Sequence, residues 1–377
     1  MWPIKYLLFL MLLPSTTLFA ADKPTWTVAV KKLNLPKKIY SPREPVKDPN
    51  LKVQFTLDNN VLISFLEHRL QTDLVTKETL EKSGSIFVVL LLSRETGEVV
   101  RRVEWPVLGE STRSQQYRYG SRVYPLHSIG YVGIINRQLR VLDSFFNVIH
   151  DRVLETPNSG RYELIVPLYG QYFIFKYFNN SDLITEVVDS KTFKTVEYVN
   201  VQNSEIWSIW GDRLLAIKFS NGHLERRFLE KKVGASQWND LGLTYGGSAE
   251  AKFIHNGAIV VMDSIGHAPN RKGFWFKIEG GKKSESVFKS IGISKLSTNT
   301  PIIAVNVGEL SDFRRVLDLN TVSWIEAYDL STQQIMLSTR KHTNMVDYAI
   351  SPNGDSIALM TEKKIELYNV NSKKAKN

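Results

Sequence analysis

The chain has 377 residues, 43% of them hydrophobic, with 15 Tyr, 18 Phe and 8 Trp, enough apolar and aromatic material for a sizeable core that favours strands. It contains no cysteine, which excludes a disulfide scaffold, a thiol nucleophile, a cysteine-ligated metal and a lipidated N-terminal cysteine. The formal net charge of +10 favours anionic partners.

Residues 1–21 combine an early lysine, Lys5, with the apolar run "YLLFLMLL" and small residues at "FAAD". This is the pattern of a secretory signal peptide, with cleavage expected after Ala20 or Ala21. The run is well short of the about 20 residues that a membrane-spanning helix needs, so an exported chain with no membrane span after cleavage is expected, periplasmic or secreted. Residues 22–377 then form a single domain. In that compartment the basic surface points to a protein partner or to an anionic glycan or lipid surface, and not to nucleic acid.

After the leader, "TWTVAVKKL" (Thr25–Leu33) reads as a strand, and the proline-rich "LPKKIYSPREPVKDP" as a crossing segment. "VQFTLDNNVLISFLE" reads as strand, turn, strand; the best helix candidate, "TKETLEKSG" (Thr76–Gly84), follows it. From there one grammar recurs: a strand, an Asp, Asn, Ser or Glu, then a turn. It appears at Ser93, Asp143, Asp189, Glu230, Glu279, Asp329 and Asn369, at spacings of 50, 46, 41, 49, 50 and 40 residues. Short polar side chains suit these turns because they bond the local backbone. A period of about 40–50 residues is that of four-stranded propeller blades. Several inner strands are continuously apolar, as strands covered on both faces are.

The last unit, "SPNGDSIALMTEKKIELYNV", has strands near 345–350, 355–361 and 364–370 and no fourth strand after them. The spare strand at Thr25–Leu33 is expected to complete it, closing the ring and covering an open edge. The fold class read from the sequence is therefore all-β: a β-propeller of seven four-stranded blades, closed by an N-terminal strand. The weaker units around Glu230 and Glu279 leave six or eight blades open.

"SPNGDSIAL" resembles the "SPDG…A" blade motif of WD40-like and TolB-like repeats, and "LSRETGEVVRRVEW" resembles the "TG-hydrophobic-W" segment of quinoprotein-type blades. The arrangement is similar to that of exported bacterial β-propeller proteins. These motifs specify an architecture and do not single out one family. A quinoprotein resemblance implies repeated tryptophan docking segments, a calcium site and a catalytic Asp. Only the first unit carries the full segment, and Trp105 there reads as a residue packed between blades.

Fold does not decide function; the side chains must. The histidines are scattered and form neither HxH nor HExxH. "DSIGHAPNR" places Asp263, His267 and Asn270 in one loop, a composition equally suited to satisfying its own backbone, and His255 sits at a strand end. Ser248 follows two glycines without a G-x-S-x-G elbow. No phosphate-binding loop or dinucleotide fingerprint occurs. No catalytic residue, metal ligand or cofactor is assigned. Of the arginine pairs Arg101–Arg102, Arg226–Arg227 and Arg314–Arg315, only one member can face a given surface if each lies on a strand. "RSQQYRYGSRVYPLHS" is the best binding candidate, with Tyr117, Arg118, Tyr119, Arg122 and Tyr124 close together; aromatic rings beside arginines suit sugars or acidic peptides. The function expected is a non-catalytic module binding a protein or an anionic envelope polymer. The alternative is an enzyme with a central-channel site, either a metal-dependent lactonase or hydrolase or a quinoprotein-like dehydrogenase.

Overall fold

The computed structural model describes residues 22–35, 51–68, 85–107, 120–126, 129–154, 162–167, 170–179, 182–199, 204–220, 225–246, 250–253, 257–265, 272–279, 282–289, 294–308, 322–332, 334–343 and 345–370. The leader, the crossing segment after Leu35 and the helix expected at Thr76–Gly84 lie outside them. Among the described residues, no helix is long and apolar enough to cross a membrane.

The chain is an all-β propeller. Six of its sheets are built from consecutive strands. The first comprises Lys52–Phe55, Val61–His68, Ser85–Leu92 and Val99–Val107. The second comprises Arg122–Leu126, Gly130–Ile135, Gln138–Asp143 and Val148–Val153. The third comprises Glu163–Ile165, Tyr172–Asn179, Asp182–Asp189 and Thr195–Tyr198. The fourth comprises Ser204–Trp210, Arg213–Ser220, Glu225–Lys232 and Asn239–Gly246. The fifth comprises Glu250–Phe253, Ile259–Ile265, Lys272–Glu279 and Lys282–Lys289. The sixth comprises Ser294–Leu296, Ile302–Gly308, Val322–Asp329 and Gln334–Ser338, with the short strand His342–Thr343 also on Val322–Asp329. A closing sheet joins Met345–Ile350, Ser356–Thr361 and Lys364–Asn369 to the N-terminal strand Trp26–Ala29.

The closing pair runs antiparallel, with Trp26 opposite Leu367 and Ala29 opposite Lys364. The strand is shorter than expected. Residues Val30–Leu33 turn into a 3-10 helix that ends at Asn34, whose φ is 52°. Val30 and Leu33 are both buried in the cluster between the closing and first sheets. An extended strand would send these two side chains to opposite faces, whereas a helical turn puts residues three apart on one face.

Apolar clusters fill the spaces between neighbouring sheets. One joins Leu62, Phe87 and Val89 of the first sheet to Tyr131, Ile135 and Leu142 of the second. Another joins Ala304, Ile325 and Ala327 of the sixth to Tyr348, Ile357 and Leu359 of the closing sheet. Strands such as Ser356–Thr361 are buried along their whole length, which accounts for their continuous apolar sequence.

The turn grammar has its expected physical basis at four places. Asp143 Oδ1 accepts from the Phe145 and Asn147 amides, each at 2.8 Å. Asp189 Oδ1 accepts from Lys191 and Thr192 at 2.9 and 2.8 Å, and Asp329 Oδ1 from Ser331 at 2.7 Å. Ser93 Oγ accepts from Glu95 at 3.2 Å. Glu230 differs: its strand continues to Lys232, and its carboxylate is bound by Arg213 on the adjacent strand, so it is a ladder residue and not a turn cap.

The turn Arg94–Gly97 receives the closing strand. Trp26 Nε1 donates to the Arg94 carbonyl at 2.7 Å, and the Arg94 guanidinium pairs with Asp355 of the closing sheet at 2.8 Å. Gly97 has φ +73°, and a Cβ there would lie 2.9 Å from the Trp26 ring and from Val28. Phe193, in the corresponding turn of the third sheet, adopts φ 56°, so the contact with Trp26 sets the glycine requirement more than the backbone angle does. Gly97→Ala should cost about 2 kcal/mol and Trp26→Ala about 3 kcal/mol. The double variant should cost clearly less than their sum. Urea midpoints of the four proteins check this, and additive or near-zero losses would show that the strand does not dock on this turn.

Candidate functional site

The first strands of neighbouring sheets are tied to one another by polar groups. Gln54 Nε2 donates to the Val123 carbonyl at 2.7 Å. The Arg122 guanidinium donates to the Tyr162 carbonyl, just ahead of the third sheet. Lys176, itself buried, stands between Glu163 at 3.8 Å and Glu205 at 3.1 Å, joining the third sheet to the fourth. The Phe253 amide donates to Ser208 Oγ at 3.2 Å, from fifth to fourth. Lys295 Nζ donates to Asp347 at 2.8 Å, and the other Asp347 oxygen accepts from the Val53 amide at 2.9 Å. These groups set the sheets against one another from the sixth through the closing sheet and the first to the fifth. Among the described residues, no group of three or more His, Asp or Glu is placed to hold a metal ion.

The binding candidate near the second sheet is only partly described. Tyr117, Arg118 and Tyr119 lie outside the described residues. Arg122 and Tyr124 share one side of the strand Arg122–Leu126, both half-buried. Arg122 is spent on Tyr162, and Tyr124 packs on the cluster between the second and third sheets. The arginine pairs divide as strand geometry requires. Arg101 reaches Phe145 of the second sheet while Arg102 bonds Glu67 and Glu104. Arg226 lies over Trp207 and Phe219, and Arg227 approaches Asp240. Arg314 and Arg315 lie outside the described residues, as do Ser248, His255, His267 and Asn270. Asp263 sits on the strand Ile259–Ile265, opposite Phe274. Trp105 packs between the first two sheets, 6.1 Å from Phe87 and 6.3 Å from Phe146.

Two features were not read from the sequence. One is a charged residue three positions before the end of the third strand: Arg140, Glu186, Glu326 and Glu366 precede the strand ends Asp143, Asp189, Asp329 and Asn369. Two of these glutamates take an arginine from the preceding sheet or its exit. Arg152 Nη1 reaches Glu186 at 2.9 Å, and Arg340 reaches Glu366. The repeat is visible in "LRVLD", "ITEVVD", "WIEAYD" and "IELYN" once the strand ends are aligned.

Glu366 is fully buried. Besides Arg340, it accepts from Lys364 Nζ at 2.8 Å and Tyr368 Oη at 3.1 Å and lies 3.3 Å from His342 Nε2. Burial alone would raise its carboxyl, but hydrogen bonds from Lys364 and Arg340 and the charges of His342 and Lys364 outweigh it and hold the group below its ordinary value. Burial pushes His342 below its ordinary 6.5, Lys364 and Arg340 push the same way, and Glu366 opposes them. Burial, followed by Glu366, raises the Tyr368 phenol.

The second feature is an apolar strip on the outer strands. Val99 and Val100 of the first sheet are 44% and 60% exposed. In the second sheet Phe145, Val148, Ile149 and Val153 are exposed, Val153 at 74%. Val196 and Tyr198 continue the strip on the third, where Leu183 is also exposed, on the neighbouring strand Asp182–Asp189. One further large apolar side chain among the described residues, Ile335, is comparably exposed, at 36%. The strip is physically continuous. Arg101 donates to the Phe145 carbonyl at 2.9 Å and lies 4.8 Å over its ring. His150 stacks 5.6 Å from Phe193 and bonds the Lys191 carbonyl at 3.0 Å. Its origin is a register shift just after the turn of each outer strand, which leaves Val100, Ile149 and Val196 without a cross-strand partner. Such bulges swing a side chain out of the regular alternation. "GEVVRR" and "FNVIHD" carry the apolar residues, but nothing in them distinguishes outward from inward.

No family model matches this chain, and no curated protein sequence matches it. Solved structures similar to it include a WD40 domain. The Neurospora crassa Pan2 WD40 domain has a TM-score of 0.52 at 10% identity, over 93% of this chain and 96% of that one. A chain of the mitotic checkpoint complex has a TM-score of 0.50 at 11% identity, over 93% and 92%. TolB from Acinetobacter baumannii has a TM-score of 0.38 at 13% identity, over 75% and 76%. Likeness at such identities shows the fold alone.

The polar cluster makes the junction of the sixth and closing sheets acid-sensitive. A histidine whose folded value is depressed loses stability as pH falls below 6.5, because the unfolded chain takes up the proton first. A glutamate held low adds a further loss below its ordinary 4.5. The urea midpoint should therefore fall between about pH 7.5 and about pH 5, and His342→Gln should flatten that part of the profile. An unchanged slope in the variant would place the sensitivity elsewhere.

Proposed function

We propose that this chain is an exported, non-catalytic propeller module of seven blades that binds a protein partner through the rim of its first three blades. The count is supported by six sheets of consecutive strands plus the composite closing sheet, with an apolar cluster at each junction. The binding reading is carried by the apolar strip. Isolated exposed apolar residues are ordinary, but a contiguous set confined to one part of the surface marks an interaction site. The signal-peptide pattern of residues 1–21 supports export, and the excess of basic residues supports an acidic partner surface.

A photoreactive residue placed at Phe145 in the full chain, irradiated in the producing cell, should give a discrete protein adduct. The same residue at Asp240, exposed on the outer strand of the fourth sheet, should give none. Val100→Glu should reduce the Phe145 adduct at least about fivefold. Equal adducts from both positions, or none from Phe145, would reject the rim as the binding surface. A stoichiometric calcium ion or quinone on the purified mature chain would instead favour channel chemistry.

A further inference from the structure

We infer that the outer strand of the second sheet, Val148–Val153, accepts an extended, acidic segment of the partner as an added β-strand, an inference that rests on the rim reading above. Among the described residues the strand is last in its sheet and pairs only with Gln138–Asp143. Its other edge therefore presents backbone donors and acceptors in the manner that strand addition uses. Ile149, Asp151 and Val153 are exposed, while His150 and Arg152 are turned toward the third sheet. The exposed row at alternate positions thus carries two apolar side chains, Ile149 and Val153, with Asp151 between them.

The sixth sheet carries the internal precedent. Its outer strand has the same register shift, with Met336 in the place of Ile149. There the chain's own Asp22 lies against the edge in a parallel bridge to Thr339. The Asp22 amide donates to the Ser338 carbonyl at 3.0 Å, and its carboxylate accepts from the Ser338 amide at 3.3 Å. Met336 is half-buried and packs on the cluster between the sixth and closing sheets. An extended residue bearing a carboxylate is therefore what this kind of edge takes within the molecule. Beside Val148–Val153, Lys191 and Lys194 are exposed on the adjoining turn of the third sheet, held close by the His150 contact to the Lys191 carbonyl. These two lysines outnumber the exposed carboxylate of Asp151 on the strand itself, a balance that favours an acidic segment over a basic one, whereas Pro106 interrupts the corresponding edge of the first sheet.

The test uses the full mature chain and three fluorescent peptides of alternating valine and threonine. One ends in two glutamates, one in two lysines, and one is the glutamate peptide with alternate backbone nitrogens methylated. The glutamate peptide should bind saturably, the lysine peptide at least about fivefold more weakly, and the methylated peptide not measurably. Ile149→Asn with Val153→Asn should weaken the glutamate peptide about tenfold. Lys191→Glu with Lys194→Glu should remove the preference for glutamate. Absence of saturable binding by the glutamate peptide, or equal binding by the methylated one, overturns strand addition, and the latter needs no variant to be folded. If those results accompany a persistent Phe145 adduct, the partner uses the rim by side-chain contact; if the adduct is also absent, the rim reading falls as well.

Discussion

The pairing of Trp26–Ala29 with Lys364–Asn369 is the contact on which the ring depends. It joins the two ends of the described chain, and without it the closing sheet would expose the edge of Lys364–Asn369. Bringing together segments separated by most of the chain costs about 5 kcal/mol by the logarithmic law for loop closure. Four backbone pairs alone are a slender return against that cost. The geometry around them adds to it: the Trp26 indole on the Arg94 carbonyl, Arg94 on Asp355, and Val30 and Leu33 in the cluster that the closing sheet shares with the first. Closure is thus a docking of the N-terminal segment onto two sheets at once.

Between sheets, the apolar clusters supply the driving force and the polar links supply the registration. Hydrophobic contact is not directional, so flat sheets packed only by apolar residues could slide. Gln54, Arg122, Lys176, Lys295 and Asp347 each bond a neighbouring sheet near the first strands. Farther out, Glu186 and Glu366 do the same with Arg152 and Arg340. Burying such ions is worthwhile only when their lone pairs and protons are satisfied, and Glu366 has four partners. Residue types that would suit channel chemistry are here engaged in holding sheets together.

The rim follows from the same repeat. In the first, second, third and sixth sheets the outer strand begins beyond a capped turn and slips register by one residue, which takes one side chain out of the ladder. In the sixth sheet the displaced residue is half-covered and the edge is met by Asp22. In the first three sheets the displaced residues are Val100, Ile149 and Val196, and they stand in the open. A shared irregularity of the blade thereby becomes, among the described residues, an exposed apolar feature of the first three sheets.

Much of the architecture was legible in the sequence because strand periodicity and turn chemistry are local. Asp143, Asp189, Asp329 and Ser93 cap the turns they were read to cap, and the strand assigned near 364–370 is completed from the N-terminus as the unpaired edge demanded. Where competing local forces act, the reading drifted: Val30–Leu33 left the strand to bury two side chains together, and Glu230 was a ladder residue bonded to Arg213. The candidate site was less legible. Arg122 and Tyr124 looked available, yet their strand faces a neighbouring sheet, and which sheet a side chain meets is a fact about residues far away in the chain. Nothing in the sequence marked Val100 and Ile149 as exposed, because an apolar residue on a strand carries no sign of the face it will occupy. Local chemistry determined where the chain bends and pairs with itself; only the arrangement of sheets decided which polar groups became links between them and which apolar groups were left to solvent.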